Sequence, residues 1–96
     1  MMTVLDENIY WRILADRAPT GEVILHCTIK KWTHNIYKAL MATVCQIQIA
    51  IKETLYAPRV NDKQERFLSM LGFEATEKYM LGIDGDYYNL FKFGVH

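Results

Sequence analysis

A chain of 96 residues with a hydrophobic fraction of 51% is one folded domain, large enough for a single core but short of what most enzymes with a cofactor cleft use. Its 11 basic and 11 acidic side chains leave a formal net charge of zero, without the basic surplus that binding to nucleic acid or to an anionic membrane needs. No apolar run reaches the length of a membrane span, and Asp6 and Glu7 interrupt any signal-peptide pattern, so a cytoplasmic protein is expected.

Residues 8–15 are rich in aromatic and branched side chains, and Arg17-Ala18-Pro19-Thr20-Gly21 after them is turn chemistry. Residues 22–30 form the return strand of a hairpin. From Thr33 the period changes: Ile36, Leu40, Val44, Ile47 and Ile51 recur at helical spacing. Gln46 to Ile51 also alternates like a strand, but the stripe continues through Ile47 and Ile51 and favours helix. Residues 55–60 follow as a strand in which Pro58 can occupy only an edge or a bulge.

Residues 61–74 are the stretch around which the chain is organised. Asn61 suits an N-cap, and Gln64 can return the bond in a capping box. Phe67, Leu68 and Leu71 make one buried stripe while Lys63, Glu65 and Arg66 stay wet. Gly72 supplies the left-handed residue that stops the helix. Residues 76–83 and 86–94 then flank Asp84-Gly85, the turn of a closing hairpin. The predicted architecture is α+β, a mixed β-sheet with two helices in the order ββαβαββ.

This order, with the spacing inside 61–74, resembles the C-terminal half of the GNAT (Gcn5-related N-acetyltransferase) superfamily. Asn61, Phe67, Gly72 and Phe73 stand where that family has its Asn, its aromatic and its Gly-Phe, while Gln64 and Leu68 stand in place of its Ala and Tyr. The resemblance implies an acetyl-CoA site whose Tyr protonates the departing thiolate. An alkyl side chain at Leu68 has no proton to give. The family's glycine-rich pyrophosphate loop corresponds to residues 31–36, which contain no glycine. The residues before the first hairpin are also too few for the N-terminal elements of a complete member.

A closer similarity, carried by Arg66-Phe67-Leu68, Gly72 and Asp84-Gly85 ahead of Leu90-Phe91, is to small acetyltransferase-like internal virion proteins of short-tailed phages, which also have Leu at the Tyr position. That similarity implies a truncated, non-catalytic GNAT-like protein without cofactor, acting in a virion or the host cytoplasm by binding protein, either itself as a homo-oligomer or a host protein. The alternative is a minimal acetyltransferase using acetyl-CoA, with Asn61 positioning and one of Tyr79, Tyr87 and Tyr88 as acid. Those tyrosines have a plainer reading as cross-strand packing.

Other candidates divide the same way. His34 and Asn35, at the head of the first helix, either cap it or form a remnant anion site with Asn61. Cys27 and Cys45 show no metal-ligand spacing and read as buried free thiols. His26 and Cys27 are strand neighbours and point to opposite faces, and His26 against Cys45 reads as core packing. Asp84 and Asp86 are turn residues without a third ligand. Tyr10, Trp11, Trp32, Tyr87 and Tyr88 are more aromatic surface than this sheet and two helices readily cover, which marks a partner interface unless the strand before Pro19 folds back over that face.

Overall fold

The computed structural model describes residues 2–33 and 35–94. Its elements are β1 (Thr3–Glu7), β2 (Trp11–Arg17), β3 (Val23–Ile29), α1 (Ile36–Ile51), β4 (Leu55–Pro58), α2 (Asp62–Met70), β5 (Glu74–Leu81) and β6 (Tyr87–Phe93). The strands form one mixed sheet of six in the order β1-β2-β3-β4-β6-β5. The expected two helices and mixed sheet are present, with one strand more than predicted, β1, at the front. β3 and β4 pair in parallel and are joined by α1, the long crossover that a parallel pair requires.

Local chemistry sets the element ends. The α2 N-cap is Asn61, whose Oδ1 accepts the Gln64 N–H at 2.8 Å. Gln64 returns a bond one residue earlier than a capping box requires, from the Val60 N–H to its Oε1. At the other end Phe73 N–H bonds the Leu68 carbonyl at 2.9 Å and Gly72 takes φ +95°, the closure of a Schellman turn. The stripe in α1 holds to Ile51, which settles Gln46 to Ile51 as helix, and left-handed Lys52 ends it with its N–H on the Gln48 carbonyl. Asn35 occupies the α1 N-cap with no side-chain cap bond.

Alternation and register assign the sheet's two faces. Trp11 and Ile13, Val23 and Leu25, Leu55 and Ala57, and Phe91 share one face with the buried residues of both helices, Ile36, Leu40, Val44 and Leu68, in a single core cluster. The Tyr37 hydroxyl donates to the Met70 carbonyl at 2.7 Å and ties the start of α1 to the end of α2. The opposite face carries Leu14, Ile24, His26, Tyr56 and Leu90. There Lys78 reaches over the Tyr56 ring, 5.2 Å from its centroid, to Glu22 at 2.8 Å. The helix-free face is thus partly covered by β5 itself.

Trp11, expected among exposed aromatics, belongs to the core at 4% exposure. The reason is the unpredicted β1, which pairs antiparallel with β2. It brings Leu5 against the core, and Asp6 Oδ2 accepts the indole N–H at 2.7 Å.

Candidate functional site

One opening in the molecule follows from where β3 and β4 stop pairing. Their parallel contact covers only Val23 with Leu55 and Ile24 with Tyr56, although β3 runs on to Ile29. Pro58 explains part of this. The Arg59 N–H bonds the Asn89 carbonyl of β6 at 2.8 Å, and main-chain groups alternate sides along a strand. The nitrogen of Pro58 therefore faces β3, where the ring leaves no donor to continue the ladder. The edge or bulge expected for this proline is not what the fold uses: β4 lies inside the sheet between β3 and β6, and Pro58 sits where the pairing with β3 has already ended.

The split opens a cleft of about 790 Å³. Its floor is the core face of the separating strands, with Ile13, Leu25, Cys27 and Ala57. Phe67, Leu68, Leu71 and Phe73 wall one side, and Val44 of α1 closes the back. Asn61, Lys30, Lys31, Lys63 and Arg66 stand at the rim. Trp32 sits at the mouth, 46% exposed, with its ring edge-on to Phe67 at 5.9 Å. Cations at the lip and alkyl groups within suit a ligand that is apolar at one end and anionic at the other.

Cys27 corrects the expectation of two buried thiols: its residue surface is exposed and Cys45 is half-buried, both free. Splaying of β3 from β4 uncovers Cys27 toward the cleft, yet its apolar neighbours raise the thiol to about 11 by desolvation. At neutral pH it is protonated and a poor nucleophile. His26 lies on the helix-free face, opposite Cys27 as alternation requires and away from Cys45 on α1. Burial lowers its pKa, opposed in part by Asp16.

The remaining predicted residues do not converge. Asn61 and Trp32 line the cleft, whereas Asn35 does not, and His34 lies outside the described residues. Tyr10 is half-buried against the core. Tyr79, Tyr87 and Tyr88 line a separate groove with Arg59 and Val60, beside the β5–β6 hairpin. The Tyr88 hydroxyl donates to Asp84, which raises the tyrosine and lowers the aspartate. Among the described residues no group of three or more His, Cys, Asp or Glu could hold a metal ion, and no helix is long and apolar enough to cross a membrane.

Leu81 and Ile83 were missed as surface residues. Register places Tyr79, Leu81 and Tyr87 on one face of the hairpin, at 63%, 59% and 72% exposure, with Ile83 fully out at the turn. The open aromatic surface lies here and at Trp32 rather than on the helix-free face. The alternation of Tyr79 and Leu81 ahead of Ile83 is the signal in the sequence; the hairpin tyrosines stand out there as surplus aromatic surface, and the two aliphatic residues beside them do not.

The fold and cleft define a small α+β domain with a split mixed sheet, compatible with a truncated GNAT-like arrangement. Comparison with protein-family models, curated proteins and solved structures finds no match to this chain.

Proposed function

We propose that this chain is a non-catalytic, GNAT-like protein of phage type that works by binding protein, as a virion component or as an inhibitor of a host system. The observation that carries this is the apolar strip of Tyr79, Leu81 and Tyr87 with Ile83 beside it, exposed on one hairpin. Aromatic and aliphatic side chains grouped this way mark interfaces more often than scattered exposed ones do.

The cleft supports the same reading by what lines it. Leu68, which the resemblance aligns with the family's Tyr, lines it and has no proton to give, and Cys27 is held protonated. The hairpin tyrosines offered as substitutes belong to another groove. A minimal acetyltransferase using acetyl-CoA is the second reading, favoured by the 790 Å³ cleft with Asn61 and four cations at its rim.

Isothermal titration of the purified chain with acetyl-CoA and with coenzyme A separates the two. Absence of saturation up to the millimolar range is expected. Saturable micromolar binding accompanied by acetyl transfer to an amine would overturn the non-catalytic reading.

A further inference from the structure

The sheet has two edges, and the chain treats them differently. An unpaired edge is a template for another strand, and proteins blunt it with bulges and charges. β1 carries a register shift between Val4 and Asp6, and its Glu7 is paired with Lys30 and Arg12. The first half of β5 is blunted in the same way. Its register shifts between Ala75 and Tyr79, the Asn89 amide holds the carbonyls of Thr76 and Lys78, and Glu77 and Lys78 are charged. The second half, Tyr79-Met80-Leu81, has neither bulge nor charge.

The main-chain groups of that half can be placed. Gly82 N–H donates to the Asp86 carbonyl at 2.8 Å. By alternation Met80 also faces β6, and Tyr79 and Leu81 turn both N–H and C=O away from the sheet. β5 is the last strand in the order, so among the described residues these groups meet no other strand.

On the reading that this protein works by binding protein, we propose that the occupant of this edge is a second copy of the chain, its β5 antiparallel to the first about a two-fold axis at Met80. That axis sets Tyr79 of each copy opposite Leu81 of the other, each pair exchanging both main-chain hydrogen bonds. Their side chains, with Tyr87 beside Leu81, form one apolar stripe across both copies. The register is self-complementary, as a two-fold interface requires. The area is also sufficient. At about 200 Å² for a large side chain, Tyr79, Leu81, Ile83 and Tyr87 offer on the order of 600 Å² per copy at their exposures of 59–111%. Two copies then reach about 1,200 Å², the lower bound of a stable interface.

Sedimentation velocity of the full chain across a concentration series tests the stoichiometry, and cysteine pairing tests the register. The wild-type chain is expected to form a reversible dimer, weakened at least about 100-fold by Leu81→Lys, which would bring two cations into the stripe. With Cys27→Ser and Cys45→Ala as background, Met80→Cys should form an intermolecular disulfide under mild oxidation, because the two-fold sets it opposite itself, and Glu77→Cys should not. A monomer at millimolar concentration, or equal cross-linking at both positions, overturns the proposal even if Leu81→Lys fails to fold. The dimer can fail while acetyl-CoA still does not bind, which leaves the functional reading intact. Micromolar acetyl-CoA binding with turnover would sink that reading whatever the oligomeric state.

Discussion

Two glycines with nearly the same backbone geometry separate what φ costs from what contact costs. Gly72 has φ +95° and Gly21 has φ +104°, both in the region that L side chains rarely adopt. A Cβ at Gly21 meets nothing within 4 Å, whereas one at Gly72 would lie 3.2 Å from Cε1 of Phe93. Alanine costs about 1–2 kcal/mol for the left-handed conformation at either position. About 0.4–1 kcal/mol of that is offset because alanine restricts the unfolded chain. Gly21→Ala should therefore destabilise by about 1 kcal/mol. Gly72→Ala must also shift the Phe93 ring, which packs on Phe73 at 5.3 Å. Phe93 is half-buried near the end of β6 and can give a little, so the added cost is about 1 kcal/mol on the scale of mild overpacking. The expected loss is about 2 kcal/mol, or roughly 8–16 °C in Tm for a domain of this size. Urea unfolding followed by the fluorescence of buried Trp11 would measure both. In a Phe93→Ala background the two losses should converge. Equal losses in the native background, or no convergence without Phe93, would refute the account of how α2 ends.

Acid should weaken the molecule in a defined window. Hydrogen bonds from Lys78 and then Thr20 hold Glu22 at about 2 against an ordinary 4.5. Its contribution is fully present above pH 4.5 and is lost as pH falls toward 2, so a Tm–pH series should steepen there and flatten in Glu22→Gln. Leu40, with 0% exposure at the centre of the α1 stripe, should cost about 2–5 kcal/mol as alanine, while Ile49→Ala, at a site 69% exposed on the same helix, should stay within about 0.5 kcal/mol. A thiol raised to about 11 predicts slow alkylation of Cys27 at pH 7 and a rate rising steadily to pH 10; fast labelling at neutral pH would contradict its apolar setting.

Elements whose ends are set by local chemistry were legible in the sequence. The Asn61 cap, the Gly72 stop and the Asp84-Gly85 turn each act within a few residues, so their signals lie in adjacent letters. β1 was not legible, because Thr3 to Glu7 show no clean alternation and end in two acids. One local clue was present. Asn8 Oδ1 accepts the amides of Tyr10 at 2.7 Å and Trp11 at 3.0 Å, an Asx turn between two strands that side chains of this type favour. Without β1, Trp11 could only be read as surface. The cleft was only half legible: Asn61 and Leu68 were placed at it, but Cys27, Lys63 and Arg66 join it through tertiary geometry alone.

Pro58 and the two sheet edges reflect one rule about unpaired backbone. At Pro58 the chain ends a ladder by removing the donor, so the split between β3 and β4 stays open without leaving an N–H unpaired on the β4 side. At β1 and the start of β5 it keeps the donors and guards them with register shifts and charge. Tyr79 and Leu81 turn donors, acceptors and exposed apolar side chains outward together, with no register shift between them. A monomer gains nothing from that arrangement, because Lys or Glu at Leu81 would fit the same exposed strand position and protect it. The cost of leaving it bare is aggregation, and a partner strand that closes the edge removes it. The cleft and the hairpin edge therefore carry different chemistry. The cleft is lined at Leu68 and Cys27 by an alkyl group and a protonated thiol, and the edge presents main-chain groups and apolar side chains that a partner strand would cover together.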